Sequence, residues 1–261
     1  MPVTPTIGEL LRLQRAYYEA ISTWERHPWG VIGLNVRNPD SHDSNHAYID
    51  RQVDAVELAE ILRHAAAYYG TKGIGPRVRY HIPPNSEGLE GHARAAGWSV
   101  HIEQETWRVW PTDDGREKAP EVPGLALSLS SSGEREELLA VCNEGADEST
   151  VYRRAGVWAT LLASDAVDCL IARVEGEPAG GLACVWRDGW GSIEQVETRE
   201  AYRRRGICTA MIRFMQARAA SRGEKGLYLY DTIDNADRIY AREGLRLVAR
   251  PYQVHLWHEG G

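Results

Sequence analysis

Residues 193–209 read Ile-Glu-Gln-Val-Glu-Thr-Arg-Glu-Ala-Tyr-Arg-Arg-Arg-Gly-Ile-Cys-Thr. The first six residues, Ile193 to Thr198, pattern as the end of a strand. A short polar turn follows, then Arg203, Arg204 and Arg205 lead to Gly206, where an amphipathic helix begins. A helix start carries unpaired backbone N–H groups and the positive end of the helix dipole. With a glycine that allows close approach and guanidinium groups beside it, such a start suits an anion. The chemistry this predicts is capture of a pyrophosphate, with the N–H groups of Arg204 through Thr209 facing it.

Composition narrows the alternatives. The chain has 261 residues, 43% of them hydrophobic, and a formal net charge of −7. That length accommodates one large domain or two modest ones. Net acidity disfavours a nucleic-acid partner, because neutralising phosphates needs clustered Lys and Arg, and the arginine triplet is the one strong basic cluster. Cys142, Cys169, Cys184 and Cys208 show no C-x-x-C spacing. They read as free thiols in a reducing cytoplasm. No basic segment followed by an apolar run opens the chain, and no stretch of about 18 apolar residues exists. No membrane partner is expected. His42 and His46 are four apart, but they sit in Asn-Pro-Asp-Ser-His-Asp-Ser-Asn-His, a loop composition that would not align two ligands. No metal is expected.

The elements that must position the arginine turn repeat along the chain. Residues 111–123 are polar, rich in proline and aperiodic, which suggests a linker between domains 1–110 and 124–261. In each domain a helix leads to a glycine turn, a strand, an asparagine (Asn85, Asn235), a short helix and a second glycine (Gly97, Gly244). A last strand then ends on tryptophan 13 positions beyond that glycine, at Trp110 and at Trp257. Two fused copies of one fold are expected. The first copy lacks the chemistry. Its helix at 54–69 follows Asp50-Arg51-Gln52-Val53-Asp54, where acidic residues would repel a phosphate.

In the first half, Thr6 and Glu9 pattern as a capping box for a helix over 7–24, and Val31–Val36 reads as a strand. The second half opens with a strand at Leu125–Leu129, a helix at Glu134–Cys142 and a short helix at Trp158–Ala163. Consecutive hairpins over Cys169–Val174, Ala179–Trp186 and Gly191–Thr198 follow. A helix at 207–221, a strand at 227–231, a helix at 235–243 and two closing strands complete it.

This order, together with Arg203-Arg204-Arg205-Gly206-Ile207-Cys208, resembles the GNAT superfamily of N-acetyltransferases over about 135 residues. The family pattern at the turn is Arg/Gln-x-x-Gly-x-Gly/Ala, and Cys208 departs from its last position. The resemblance implies an α/β (α+β) fold with a mixed, mostly antiparallel sheet flanked by helices. It also implies acetyl-CoA as co-substrate. Val196, Glu197 and Thr198 would meet the pantetheine arm where the strand splays at a bulge. Asn235, Tyr240 and Gly244 match the family's Asn…Tyr-x-x-x-Gly segment; Leu245 replaces its usual aromatic. Asn235 would contact the CoA arm, and Tyr240 would protonate the leaving thiolate, since a phenol with a pKa near 10 stays protonated at neutral pH.

Glu194 and Glu197 fall on opposite faces of a regular strand. Of the two, Glu194 is taken as the base that frees the amine. The activity implied is acetyl transfer to an amine of a small molecule or protein by a monomer or homodimer. A non-catalytic acyl-CoA sensor, or another acyl-CoA enzyme on the same scaffold, is the alternative. Trp158, Trp186 and Trp190 near the expected cleft allow an aromatic acceptor, but ordinary core packing suits them better.

Overall fold

The computed structural model describes residues 4–83, 88–112, 121–231 and 234–258, with 234–237 in backbone only. Asn85, the Asn235 side chain and most of 111–123 lie outside the described residues. The chain divides into two compact units, 1–20 with 106–249 and 21–105 with 250–261.

The smaller unit holds β1 (Thr23–His27), β2 (Gly30–Leu34), β3 (Ala47–Ile49), α2 (Ala55–Gly70), β4 (Arg77–Ile82), α3 (Leu89–Ala95) and β5 (Ser99–Gln104). A strand from the far end of the sequence, β13 (Tyr252–Trp257), joins them in the order β1-β2-β3-β4-β13-β5. β3 and β4 are parallel and α2 connects them; the other neighbours are antiparallel. The helix begins at Ala55 because Asp54 caps it. Its carboxylate accepts from the N–H groups of Val56 (2.9 Å) and Glu57 (2.8 Å). Leu58, Ile61, Leu62, Ala65 and Tyr69 then share one helix face and pack with Ile32, Val78, Tyr80, Val254 and Leu256 into a core.

The larger unit begins with α1 (Ile7–Ile21), opened by the expected Thr6–Glu9 box: Glu9 accepts from Thr6 N–H at 2.8 Å. Its strands are β6 (Thr106–Pro111), β7 (Leu125–Leu129), β8 (Val167–Val174), β9 (Glu177–Arg187), β10 (Trp190–Thr198), β11 (Gly226–Asp231) and β12 (Arg246–Ala249). They run β12-β6-β11-β10-β9-β8-β7. Its further helices are α4 (Arg135–Cys142), α5 (Glu148–Leu162), α6 (Ile207–Arg222) and α7 (Asp234–Arg242). The helix expected at Trp158–Ala163 is the end of α5, which starts ten residues earlier at Glu148 because Asp147 caps it, accepting from Thr150 N–H at 2.9 Å. β10 and β11 are parallel and joined by α6. Ile207, Met211, Ile212, Met215 and Ala219 of α6 press on Leu182, Cys184, Ile193, Leu227 and Leu229. Gly180 makes that approach close: a Cβ there would meet Ile207 Cγ2 and Met211 Cε at 3.2 Å.

The fold is the expected mixed α/β arrangement of sheets flanked by helices, but the sheets do not follow the boundaries 1–110 and 124–261. The segment expected as one strand from Gly97 to Trp110 is two strands that part at Glu105. β5 stays in the smaller unit's sheet, while β6 enters the larger one between β11 and β12. β12 and β13 part in the same way, and β13 lies between β4 and β5. Both sheets therefore repeat one order: a parallel strand pair joined by a helix, an antiparallel strand from the other half of the sequence, and an edge strand.

Candidate active site

The arginine turn and α6 open on a cleft of about 890 Å³. Gly206 is the residue before the helix and holds φ 85°, in the left-handed region where a side chain is strained. Arg204 is also left-handed, at φ 63°. Among the described residues, no side chain caps this helix start. The N–H groups of Ile207, Cys208 and Thr209 have no acceptor within the helix by its geometry. The contrast with α2 is direct. There Asp54 supplies the anion from the chain itself, and Glu57, bonded to Arg51 at 2.6 Å, stands beside it. One helix start is filled by its own carboxylate; the other faces an open cleft.

The second feature is the end of β10. Its pairing with β11 stops at Ser192 opposite Tyr228, although β10 continues to Thr198 and β11 to Asp231. The strands part, leaving a wedge whose β10 edge can pair with an extended ligand arm. At the same place the β9 register shifts between Glu194 and Glu197, with Gln195 left-handed at φ 54°. This is a β-bulge: one extra residue that re-aims the side chains after it. Gln195 donates to the Tyr17 hydroxyl at 2.9 Å, tying the bulge to α1.

The bulge corrects the expectation for the two glutamates. Glu194 pairs with Ala183 and Glu197 with Gly181, positions two apart on β9, so both carboxylates lie on one face. That face is the one α4 covers, since a Cβ on Gly181 would meet Leu138 Cδ2 at 2.8 Å. Glu194 is 5% exposed, accepts from the Ser192 hydroxyl at 2.6 Å and does not line the cleft. Glu197 lines it together with Tyr240. Burial raises the Glu197 pKa, against the opposing charges of Arg154 and Arg203.

Tyr240, on α7, is buried at the cleft wall. Burial pushes its phenol pKa up, and the neighbouring Cys208, Asp231 and Glu197 add to that. The hydroxyl is thus a proton donor at any physiological pH. Cys208 lines the same wall, and burial pushes its thiol up to about 11, so it stays neutral. Val196, Thr198, Arg203, Arg204, Gly206, Ile207 and Thr209, all expected at the cofactor, also line this cleft. Arg203 Nε donates to the Thr198 carbonyl at 3.0 Å, bracing the turn against the strand.

Arg205 is not brought to the cleft; its guanidinium lies over the Tyr202 ring, 5.3 Å from the centroid. Tyr202, Ile239 and Arg242 line the cleft without having been expected. Arg242 follows Tyr240 by two residues and donates to the Thr209 hydroxyl at 3.1 Å, and this spacing was the available signal. Trp158, Trp186 and Trp190 are all buried, as core packing requires.

Residues 135–244 match the family model for the acetyltransferase (GNAT) family. Residues 135–244 form a GNAT-family acetyltransferase domain. Comparison of the sequence with curated proteins gives no match. Among solved structures, a GCN5-related N-acetyltransferase from Kribbella flavida is similar, with 18% identity and a TM-score of 0.70 over 99% of this chain and 98% of that one. A conserved protein of unknown function from Staphylococcus epidermidis superposes with a TM-score of 0.70 at 16% identity, over 91% and 94%. A GCN5-related N-acetyltransferase from Sphaerobacter thermophilus gives 0.56 at 19%, over 77% and 65%. At these identities the likeness is one of fold. The GNAT domain contains the splayed strand pair, the bulge, the arginine turn and Tyr240. Among the described residues, no helix is long and apolar enough to cross a membrane.

Proposed function

We propose that the protein transfers an acetyl group from acetyl-CoA to an amine of a small molecule or a protein, by direct attack. The observation that carries this reading is the start of α6, which no described side chain caps, opening on a cleft lined by the end of β10 beyond its last pairing with β11. The N–H groups of Ile207, Cys208 and Thr209, with Arg203 and Arg204, would hold the diphosphate of CoA. The β10 edge beside Val196 would pair with the pantetheine arm and direct an N–H at the thioester carbonyl. Asn235 is assigned to the same arm by its place in the sequence.

The chemistry then needs four movements. The amine nitrogen attacks the thioester carbon, the C–S bond breaks, and the thiolate takes the Tyr240 phenolic proton. Glu197 takes the proton the amine gives up. Its raised pKa brings a carboxylate nearer to that task, and it lies in the cleft where Glu194 does not. The repeated order of the two sheets supports reading the smaller unit as a degenerate copy of the same fold. The Asp54 cap supports the view that this copy binds no CoA.

Release of free thiol from acetyl-CoA across a panel of primary amines tests the proposal. Amine-dependent release is expected. Binding of acetyl-CoA without release to any amine would favour a non-catalytic acyl-CoA sensor.

A further inference from the structure

The smaller unit has a cleft of its own, of about 310 Å³, which the transfer chemistry does not use. Its floor is the sheet face opposite the hydrophobic core. Val78, Val254 and Leu256 belong to that core or its packing, and the residues between them face the other way. In β-register Arg79, His255 and His101 form one row across three adjacent strands. Arg77 and Trp257 form the next row. His42 comes in from the loop before β3. Rows on one face are about 7 Å apart and strands about 5 Å apart. Two guanidiniums, three imidazoles and an indole thus converge on a space the size of a small ring with one charged substituent.

Near the floor the guanidiniums of Arg77 and Arg79 stand with the carboxylates of Asp43 and Glu103 beside them. Arg79 is 6% exposed, so its charge acts in a poorly solvated place. Asp43 holds it at 2.9 Å from the loop side. Glu103 accepts from His255 Nε2 at 2.8 Å and holds the ring in place. Burial lowers the His255 pKa, and the Arg79 charge lowers it further, although the Glu103 bond opposes both. His101 lies 6.0 Å from His255 between ring centroids and is 60% exposed at its side chain, so it can turn toward a ligand.

The geometry points to a second binding site here, for a small phosphate or carboxylate attached to a planar apolar group. The anion lies along the Arg77–Arg79 side and the plane lies on Trp257. Guanidinium forks match both anions in bidentate fashion, and the imidazoles add single donors. The inference is independent of the acetyl-transfer reading, because none of the described residues lining the cleft at the α6 start is a histidine.

The test uses the full chain with ¹³C-labelled histidine rings, titrated with phenyl phosphate, inorganic phosphate and phenol. Saturable shifts of the His101 and His255 ring resonances are expected with phenyl phosphate, weaker ones with inorganic phosphate, and none with phenol. Arg77→Met and the exposed-site variant His101→Gln should each weaken phenyl phosphate binding about five-fold or more. Thermal melts identify a variant that fails to fold, and His101→Gln keeps the test open if Arg77→Met does. Shifts that do not saturate, that phenol reproduces, or that persist unchanged in a folded variant would overturn the assignment.

Discussion

Gly206→Glu isolates the anion site from the rest of the cleft. The glycine carries φ 85°, and a Cβ built on it would meet nothing nearer than Val122 Cγ2 at 3.5 Å. Packing therefore tolerates the substitution, and the left-handed backbone costs about 1–2 kcal/mol of stability. For a domain of this size that is a fall of a few degrees in Tm, on the order of 2–6 °C. Binding suffers more. Two phosphate charges about 5 Å from a new carboxylate repel it by roughly 2 kcal/mol at the dielectric of water and about 7 kcal/mol at an effective value of 20. Affinity for acetyl-CoA should drop by at least about 30-fold. Gly206→Ala carries the same strain without the charge and should lose about ten-fold or less. Calorimetric titration of both variants, beside their melting curves, separates the two terms. A folded Gly206→Glu protein that binds acetyl-CoA as the unaltered protein does would refute the assignment of this turn.

Three further predictions concern neighbouring parts. Tyr240→Phe should lower kcat by about 10²-fold, with little change in acetyl-CoA affinity, since the phenol acts on the leaving group; an unchanged kcat in steady-state assays removes its role as acid. Glu197 must be ionised to accept a proton, and its pKa is raised. The rate should therefore climb with pH through a limb above the ordinary carboxylate range, and Glu197→Gln should abolish that limb while Glu194→Gln keeps it. If both variants leave the pH profile as it was, no carboxylate of β10 serves as base. Asp54→Ala removes the cap of α2 and should cost about 1 kcal/mol in denaturant unfolding without creating a second CoA site; two equivalents of bound CoA would contradict the reading of the smaller unit.

The turn was legible in the sequence because its signal is local. Three arginines, a glycine and a helix whose apolar face runs Ile207, Met211, Met215 and Ala219 are contiguous, and no distant partner decides them. The strand exchange was not legible. Trp107, Val109 and Trp110 fit a buried strand in either sheet, and the choice is made by β11 and β12, more than a hundred residues away. β1 escaped notice because Thr-Trp-Glu-Arg-His is a charged, largely exposed edge strand with a single neighbour. The Glu194–Glu197 error has one cause. A left-handed residue is foreseen at Gly or Asn, and Gln195 is neither, so the bulge that turns both carboxylates to one face left no mark in the residue types.

Crystals grown with CoA give the most direct test. The account predicts diphosphate density within hydrogen-bonding distance of the Ile207, Cys208 and Thr209 amides, with the pantetheine arm running along β10 toward Tyr240. Density for the cofactor at any other place, with the α6 start left to solvent, would contradict it.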